Sequence, residues 1–179
     1  RLLDAGCGTG RDLLTAETSG FPATNLIGLD ISHHALTRIP PRFMTCQGSL
    51  EHLPFPDEHF HTIICIAALH HLLTKTSQIK ALEALHRVLH REGTLLLSVW
   101  APGSTYLKAQ EAKGKLIWQE PSLAKITFTD EHGDVYPRYY YFFGDEALRS
   151  LCRKAGFHIQ QHYEQQGNRY VELTKMPAS

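Results

Sequence analysis

The stretch Leu2-Leu3-Asp4-Ala5-Gly6-Cys7-Gly8-Thr9-Gly10 passes from an apolar run into a loop with a glycine at every second position. Glycine has no Cβ and tolerates positive φ, so three of them let the chain turn sharply and bring its amides close to a bound molecule. A second apolar run, Ile27-Gly28-Leu29-Asp30, ends on an acid. A carboxylate at the tip of such a strand can accept the hydroxyls of a ribose. Together the two segments predict a nucleoside-shaped pocket at the carboxyl ends of two parallel strands.

The spacing of the glycines separates two kinds of nucleoside ligand. Dinucleotide-binding folds use G-x-G-x-x-G and hold a pyrophosphate at a helix N-terminus, whereas this loop reads G-x-G-x-G and has Asp4 two residues before its first glycine. An acid at that place favours a ligand with a cationic end. The pattern D-x-G-x-G-x-G resembles the first motif of the class I S-adenosylmethionine-dependent methyltransferases. The resemblance implies S-adenosylmethionine as cofactor and S-adenosylhomocysteine as product, and it implies cofactor contacts by Asp4, Ala5, Gly6, Gly8, Gly10, Asp30 and Ile31.

Length and charge limit the classes of protein to which the chain can belong. The chain has 179 residues, which suits one α/β domain, and its 18 basic and 18 acidic side chains cancel. Net charge therefore does not hold the chain to nucleic acid, and an RNA partner must be met by a local patch or by another subunit. The four cysteines are isolated in the sequence, which indicates reduced thiols and a cytoplasmic protein, with a nuclear location left open. No metal site, signal peptide or membrane-crossing run is predicted.

Apolar strands and amphipathic helices alternate along the chain, and this pattern predicts a doubly wound parallel sheet. The expected strands are 1–5, 25–30, 43–47, 61–67 and 94–100. The expected helices are 10–16, 32–38 and 76–89, the last of them ended by Arg91-Glu92-Gly93. A further helix over 145–155 precedes a hairpin of 157–163 and 168–174. The fold class is therefore α/β, Rossmann-like, with a mostly parallel seven-stranded sheet and a C-terminal antiparallel hairpin.

The domain prediction is a single methyltransferase domain over 1–179. Arg1 stands directly inside the first strand without a starter Met, so we expect helices upstream of the sequence that close over the cofactor. Residues 101–137 combine Gly, Pro and charge without a clear period, which indicates an insertion or a cover over the sheet edge. A cover at this place would select the substrate, and a surface loop is the alternative.

Two further segments resemble later motifs of the same family. Gly48 to Phe55 is similar to G-D-x-x-x-L-P-F, with Ser49 in place of the acid that contacts adenine; Ser49 can still hydrogen-bond the base, and Leu50 offers an amide and an apolar wall. Phe60 to Leu72 is similar to F-D-x-V-x-x-x-x-x-L-H-H-L, with Ile66 and Ala67 at the end of the strand. His70 and His71 of this motif either face the active site or serve packing and hydrogen bonding.

Three C-terminal elements narrow the resemblance to one family within the class I methyltransferases. The W-A ending at Trp100-Ala101, the R-Y-Y block that begins at Arg138, and the G-N element at Gly167-Asn168 resemble the tRNA wobble-uridine carboxymethyl methyltransferases. The resemblance implies methylation of the carboxylate of 5-carboxymethyluridine at the wobble position. It also implies two partners, the tRNA and a small zinc-binding activator subunit.

A carboxylate acceptor is already ionised at neutral pH, so its methylation needs no general base, and alignment dominates catalysis. The acceptor does need a cation or donors to orient it. The residues considered for this role are Arg138, Arg11, Arg169, His70 and His71, and the predicted catalytic set is Arg138, His71, His70 and Tyr139. Tyr139, Tyr140 and Trp100 are expected to offer stacking surfaces to a splayed base.

Two other functions stay open from the sequence. A small-molecule methyltransferase acting on a quinone precursor or another metabolite would share the glycine loop, the L-P-F turn and the paired histidines. A non-catalytic cofactor-binding or scaffold subunit would explain Ser49 and His61, which replace acids in the motifs. Salt dependence separates the first of these from an RNA enzyme, because tRNA binding weakens steeply as ionic strength rises.

Overall fold

The computed structural model describes residues 1–130 and 132–176, and strands alternate with helices through most of them. The strands are Leu2–Ala5 (β1), Leu26–Asp30 (β2), Met44–Gln47 (β3), Phe60–Ile66 (β4), Leu89–Trp100 (β5), Leu116–Glu120 (β6), Leu123–Thr129 (β7), Val135–Tyr141 (β8), Phe157–Gln165 (β9) and Asn168–Lys175 (β10). The helices are Arg11–Thr18 (α1), His33–Leu36 (α2), Lys75–Val88 (α3), Thr105–Ala112 (α4) and Asp145–Lys154 (α5). Within these residues, no helix is both long and apolar enough to cross a membrane.

The main sheet has the order β3-β2-β1-β4-β5-β10-β9 over the described residues. β1 to β5 are parallel, while β10 runs antiparallel to both β5 and β9. The predicted fold class is confirmed, including the C-terminal hairpin. The strand order reverses direction between β1 and β4, and open α/β sheets bind their ligands in the crevice at such a switch point.

β1 lies at the centre of the sheet, and each of its residues is buried. Leu3 pairs with Ile27 on one side and with Ile63 on the other, so one short apolar strand joins both halves of the sheet. A strand covered on both faces needs a continuous apolar run. Its one polar member, Asp4, is therefore the residue whose burial calls for an explanation.

The segment between β5 and α5 forms a helix and a second sheet. α4 is followed by three antiparallel strands in the order β6-β7-β8. Residues 101–137, predicted as an aperiodic insertion or cover, therefore carry regular structure that continues to Tyr141. The small sheet packs around its own apolar cluster, whose buried members are Leu107, Leu116, Ala124, Ile126, Tyr140 and Phe142.

Two boundaries differ from the sequence prediction. β5 begins at Leu89, which pairs with Phe60, so the prediction that Arg91-Glu92-Gly93 ends a helix and stands outside the strand is wrong. The register shifts between Phe60 and Thr62, and a Cβ at Gly93 would lie 2.9 Å from the carbonyl oxygen of His61. The glycine thus permits a bulge that the sequence pattern had presented as a helix stop.

Helix α2 is shorter than predicted. The Ser32 hydroxyl caps it by accepting from the Ala35 amide at 3.2 Å, as expected, but the helix ends at Leu36 and not at Arg38. The residues beyond it turn toward the Pro40-Pro41 pair. α2 thus contributes a single turn beside the carboxyl end of β2.

Candidate active site

The glycine loop is fixed from two sides. The amides of Gly6 and Cys7 both donate to the carbonyl of Leu29, at 2.7 and 3.0 Å, which ties the loop to β2. Gly6 has φ +88°, and a Cβ there would lie 2.4 Å from the Cβ of Ala68. A side chain at position 6 would therefore meet both backbone strain and a clash. Gly8 also has positive φ, but a Cβ there would meet nothing within 4 Å.

Asp30 organises the loop as well as the end of β2. One carboxylate oxygen accepts from the Gly8 amide at 2.8 Å, and the other accepts from the Ser32 amide at 2.8 Å. An ionised carboxylate has about four lone-pair sites, so both oxygens can still accept a ligand hydroxyl. The side chain predicted to hold a ribose thus also holds the glycine loop in place.

Asp4 is buried, with 1% of its surface exposed, and its Oδ2 has no hydrogen-bond partner among the described residues. Burial and the neighbouring Asp12 and Asp30 raise the pKa of Asp4 to about 8, against the opposing effect of Arg11. An unpaired carboxyl group directly before a ligand-binding loop is the counterpart of a cationic ligand end. The amino group and the sulfonium of S-adenosylmethionine fit this requirement.

A cavity of about 690 Å³ opens beside these groups, at the carboxyl ends of β1, β2 and β4. Its volume is in the range of small-molecule sites. Of the predicted site residues, it brings together Gly6, Gly8, Asp30, Ile31, Ser49, Leu50, Ala67, His71 and Arg138.

Four predicted cofactor residues are not among the lining residues: Asp4, Ala5, Gly10 and Ile66. Asp4 and Ala5 are buried in β1, and Gly10 packs against Ile39. Ala5 and Gly10 thus lie behind the wall, while the unpaired Oδ2 of Asp4 keeps that residue a candidate for the cationic end of the cofactor.

Seven further residues complete the wall, although the sequence motifs did not mark them as cofactor contacts. They are Thr9, Leu29, Ser32, Ala35, Gly48, Ala68 and Leu72. Each lies within a few residues of a motif position in the sequence. The role of Ala68 could not be predicted from the sequence, because Ala68 follows β4 and contacts the glycine loop that follows β1.

Arg138 enters this cavity from β8. Its guanidinium carbon lies 5.0 Å from the ring centre of Phe128 and 5.4 Å from that of Tyr136. Such cation–π contacts orient the group without neutralising its charge. In the described part of the chain no carboxylate pairs with Arg138. The small sheet therefore presents an available cation to the cavity.

The paired histidines divide their roles. His70 is 2% exposed, its Nδ1 accepts from the Trp100 amide at 3.2 Å, and burial lowers its pKa to about 3. Of the two roles open for the pair, the position of His70 favours packing and hydrogen bonding, because it is buried, neutral and not among the residues that line the cavity. His71 lines the cavity, and desolvation together with Arg138 lowers its pKa, so its imidazole is neutral near pH 7.

Two of the predicted aromatic residues, Tyr139 and Tyr140, lie away from the cavity lining. Tyr139 alternates with Arg138 along β8 and does not line the cavity. Tyr140 is buried against Trp100, with ring centres 4.7 Å apart, and offers no free face to a base.

The two remaining arginines are engaged elsewhere. Arg11 pairs with Asp12 at 2.9 Å on the surface of α1. Arg169 forms an ion pair with Glu164 and donates to the Phe143 carbonyl at 2.7 Å. Arg138 is thus the one arginine of the predicted set that the fold brings to the cavity.

Comparison with known proteins identifies the chain's family. Residues 3–97 match the family model described as "Methyltransferase domain". The chain belongs to the methyltransferase domain family. The matched residues include the glycine loop, Asp30, the L-P-F turn and the paired histidines, whereas Arg138 of β8 lies outside the match.

Individual relatives differ in how much they cover. A relative from Encephalitozoon cuniculi is 29% identical over 97% of this chain and 78% of its own length. The tRNA (carboxymethyluridine(34)-5-O)-methyltransferase of Arabidopsis thaliana is 37% identical over 56% of this chain. The chain spans only 24% of that enzyme.

Solved structures share the fold. A protein from Pyrococcus horikoshii superimposes with a TM-score of 0.79 at 19% identity, over 98% of this chain and 82% of the other. The 1,6-didemethyltoxoflavin-N1-methyltransferase of Burkholderia thailandensis, solved with S-adenosylhomocysteine, gives 0.64 at 19% identity over 97% and 70%. These likenesses show a shared fold. The family match carries the cofactor: S-adenosylmethionine is the cofactor of this methyltransferase, and Asp4, the glycine loop and Asp30 fit it.

Proposed function

We propose that this methyltransferase transfers the methyl group to the carboxylate of 5-carboxymethyluridine at the wobble position of tRNA. The W-A, R-Y-Y and G-N elements support the proposal, as does the likeness to the Arabidopsis thaliana enzyme named for this reaction. The observation that carries it is Arg138, a guanidinium at the wall of the cofactor cavity that pairs with no carboxylate among the described residues.

Arg138 would hold the acceptor carboxylate by paired, charge-assisted hydrogen bonds. A planar guanidinium matches the two oxygens of a carboxylate, which fixes the direction of attack as well as the position. Phe128 and Tyr136 limit the motion of the guanidinium, so less freedom is lost when the acceptor binds. S-adenosylmethionine, when bound, supplies a methyl group that its sulfonium makes electrophilic.

The ionisable groups on the cavity wall suit an acceptor that needs no deprotonation. They are Asp30, His71 and Arg138. Asp30 is engaged by two amides and by the predicted ribose, so it is not free to act as a base. An acceptor carboxylate is ionised above a pH of about 4 and can attack without proton transfer. The role of the chain is then alignment of the two reactants.

Replacement of Arg138 tests the proposal. We expect Arg138→Ala to lower the single-turnover rate on tRNA by about 100-fold, since a charged hydrogen-bonding partner contributes roughly 3 kcal/mol. The Kd for S-adenosylhomocysteine should change by less than about 3-fold. Arg138→Lys, which keeps the charge but not the fork, should lie between. Arg11→Ala is the matched control, because Arg11 is an exposed arginine outside the cavity. An Arg138→Ala rate equal to that of the wild type would overturn the assignment.

A small-molecule methyltransferase is the second candidate, and His71 favours it. A neutral imidazole at the cavity wall could take a proton from a hydroxyl or amine acceptor. With saturating S-adenosylmethionine, activity would then fall as the pH drops through the pKa of His71, whereas a carboxylate acceptor predicts a flat profile from pH 6 to 9. Salt gives a second readout: raising it should weaken tRNA binding steeply and metabolite binding hardly at all.

The partner and the location belong to the same proposal. A small zinc-binding activator subunit would assist tRNA binding, since the chain has equal numbers of acidic and basic side chains. Copurification from the native source, with zinc analysis of the complex, tests this partner. A cytoplasmic location, with a nuclear one left open, is tested by imaging of the tagged full-length protein. The non-catalytic alternative requires that calorimetry find no binding of S-adenosylmethionine.

A further inference from the structure

A second, smaller cavity lies beside Trp100, whose ring is linked to that of His71 through Tyr140. Its volume is about 210 Å³, and Trp100, Ser104, Tyr106, Gln166, Gly167 and Asn168 line it. None of these side chains carries a charge at neutral pH. The cavity lies where the end of β5, the start of α4 and the turn between β9 and β10 meet.

The turn between β9 and β10 is held in an unusual conformation. Gln166 and Gly167 both have left-handed backbone, with φ +49° and +79°. This is the pattern of a tight hairpin turn, in which Asn or Gly is the usual first residue. The Gly167 carbonyl accepts from the Ala101 amide at 2.9 Å. A Cβ at Gly167 would lie 2.9 Å from that of Ser104, so the turn is fitted closely against the start of α4.

Asn168, one of the residues that line this cavity, has an unsatisfied acceptor atom. Its Oδ1 is buried and has no hydrogen-bond donor among the described residues. Its amide nitrogen reaches only the Gln166 carbonyl, at 3.5 Å. A buried amide oxygen without a partner is unfavourable, because it has lost its hydrogen bonds to water without compensation. A ligand that donates one hydrogen bond would remove this cost.

Two aromatic rings give the same cavity a preference for flat ligands. Trp100 and Tyr106 lie 5.6 Å apart at an interplanar angle of 65°. Tyr106 is 47% exposed, so part of its ring is open to a ligand. Rings at such an angle accept one planar group by stacking on one and edge contact with the other.

A chain of ring contacts joins the two cavities. Trp100 stacks on Tyr140 at 4.7 Å, and Tyr140 contacts His71 at 4.9 Å. His71 lines the cofactor cavity. The second cavity is therefore two ring contacts away from the wall where the acceptor would sit.

We propose that the second cavity binds a nucleobase adjacent to the methyl-accepting nucleotide. This inference rests on the proposed RNA substrate. Stacking on Trp100 and Tyr106 would hold the base, and a donor on its edge would satisfy the Asn168 oxygen. The uncharged lining disfavours a phosphate as the ligand. Recognition of a second base would add affinity that the neutral chain does not gain from net charge.

The experiment uses the protein saturated with S-adenosylmethionine and anticodon stem-loops that carry 5-carboxymethyluridine. One stem-loop is intact, and two others lack the base on the 5′ or the 3′ side of the acceptor. Base stacking contributes roughly 1–3 kcal/mol, so we expect removal of one flanking base to raise the KM of the wild type by about 5- to 100-fold. In Tyr106→Ala and Asn168→Ala the intact stem-loop should bind more weakly, and the same base removal should have little further effect.

Controls separate the inference from folding defects and from the proposed function. Tyr106→Phe should restore the dependence on the base, and Tyr163→Ala, an exposed aromatic on β9, should behave as wild type. The Kd for S-adenosylhomocysteine should be unchanged in every variant. If the intact stem-loop is methylated but neither base removal changes KM, or the effect persists in both cavity variants, the second base site is wrong while the proposed function stands. If the stem-loop is neither bound nor methylated, both are wrong.

Discussion

Asp30 is the residue on which the cofactor site depends most. Its two oxygens accept from Gly8 and Ser32, and each bond to a charged group contributes roughly 1.5–3 kcal/mol before solvent compensation. Because Gly8 is only half-buried, water can replace part of this contribution. We expect Asp30→Ala to lower the free energy of unfolding by about 2 kcal/mol.

The same substitution should weaken cofactor binding more than it weakens the fold. Loss of the ribose contacts to a charged acceptor, about 3 kcal/mol, corresponds to a rise of roughly 100-fold in the Kd for S-adenosylhomocysteine. Asp30→Asn keeps one carbonyl oxygen and should raise the Kd by about 10-fold. Titration calorimetry measures both values, and urea unfolding measures the stability.

Asp57 supplies the matched control. It is an exposed acid that pairs with Arg87 at 2.7 Å, far along the sequence from the loop, and Asp57→Ala should change neither quantity by more than about 1 kcal/mol. A Kd for Asp30→Ala within about 3-fold of the wild type would refute the assignment of a ribose to this carboxylate. A large loss of stability without any loss of affinity would leave Asp30 a purely structural residue.

Two further predictions concern the same loop. Gly6→Ala should destabilise the fold by about 3 kcal/mol, because the new Cβ would clash with Ala68 and φ at this position is positive. Gly8→Ala should cost only about 1 kcal/mol, because a Cβ there meets no neighbouring atom. Thermal unfolding compares the two variants, and equal shifts in Tm would contradict the close contact at Gly6. Since burial raises the pKa of Asp4 to about 8 from an ordinary value of 3.8, its contribution to stability is complete below pH 4 and is lost as the pH rises to 8. Asp4→Asn should remove this loss in urea unfolding at pH 5 and pH 8. Binding of S-adenosylhomocysteine below pH 8 should release a proton in the wild type, and calorimetry in buffers of different ionisation enthalpy detects it.

Local patterns were sufficient for the main sheet. β1 and β2 are continuous apolar runs followed by glycine or acid, and both were placed within one residue of their observed limits. The sequence pattern gave the wrong role for Gly93, which was predicted to stop a helix but permits a bulge inside β5. A glycine is needed there because the His61 carbonyl on the neighbouring strand lies so close, and that contact cannot be read from the local sequence.

Site residues could be predicted where a single motif fixes both the residue type and the side of the strand or loop that faces the cavity. Gly6, Gly8 and Asp30 are of this kind. The direction of a side chain on the small sheet could not be predicted, because it depends on the register of β7 with β8. That register turns Arg138 toward the cavity and Tyr139 away from it. The division between His70 and His71 likewise depends on a backbone amide, that of Trp100, which is distant in sequence.

The separate apolar cluster of the small sheet has a consequence for how this enzyme can diversify. The residues that hold the cofactor belong to the main sheet, while Arg138 and Tyr106 belong to the segment built around that second cluster. Apart from Tyr140, whose ring contacts Trp100 and His71, the buried members of the two clusters are separate, and substitutions in groups without shared partners have nearly additive effects on stability. Acceptor preference can therefore drift in one half of the molecule while the donor half stays intact, and a graft of residues 101–141 from a relative would transfer specificity without rebuilding the cofactor pocket.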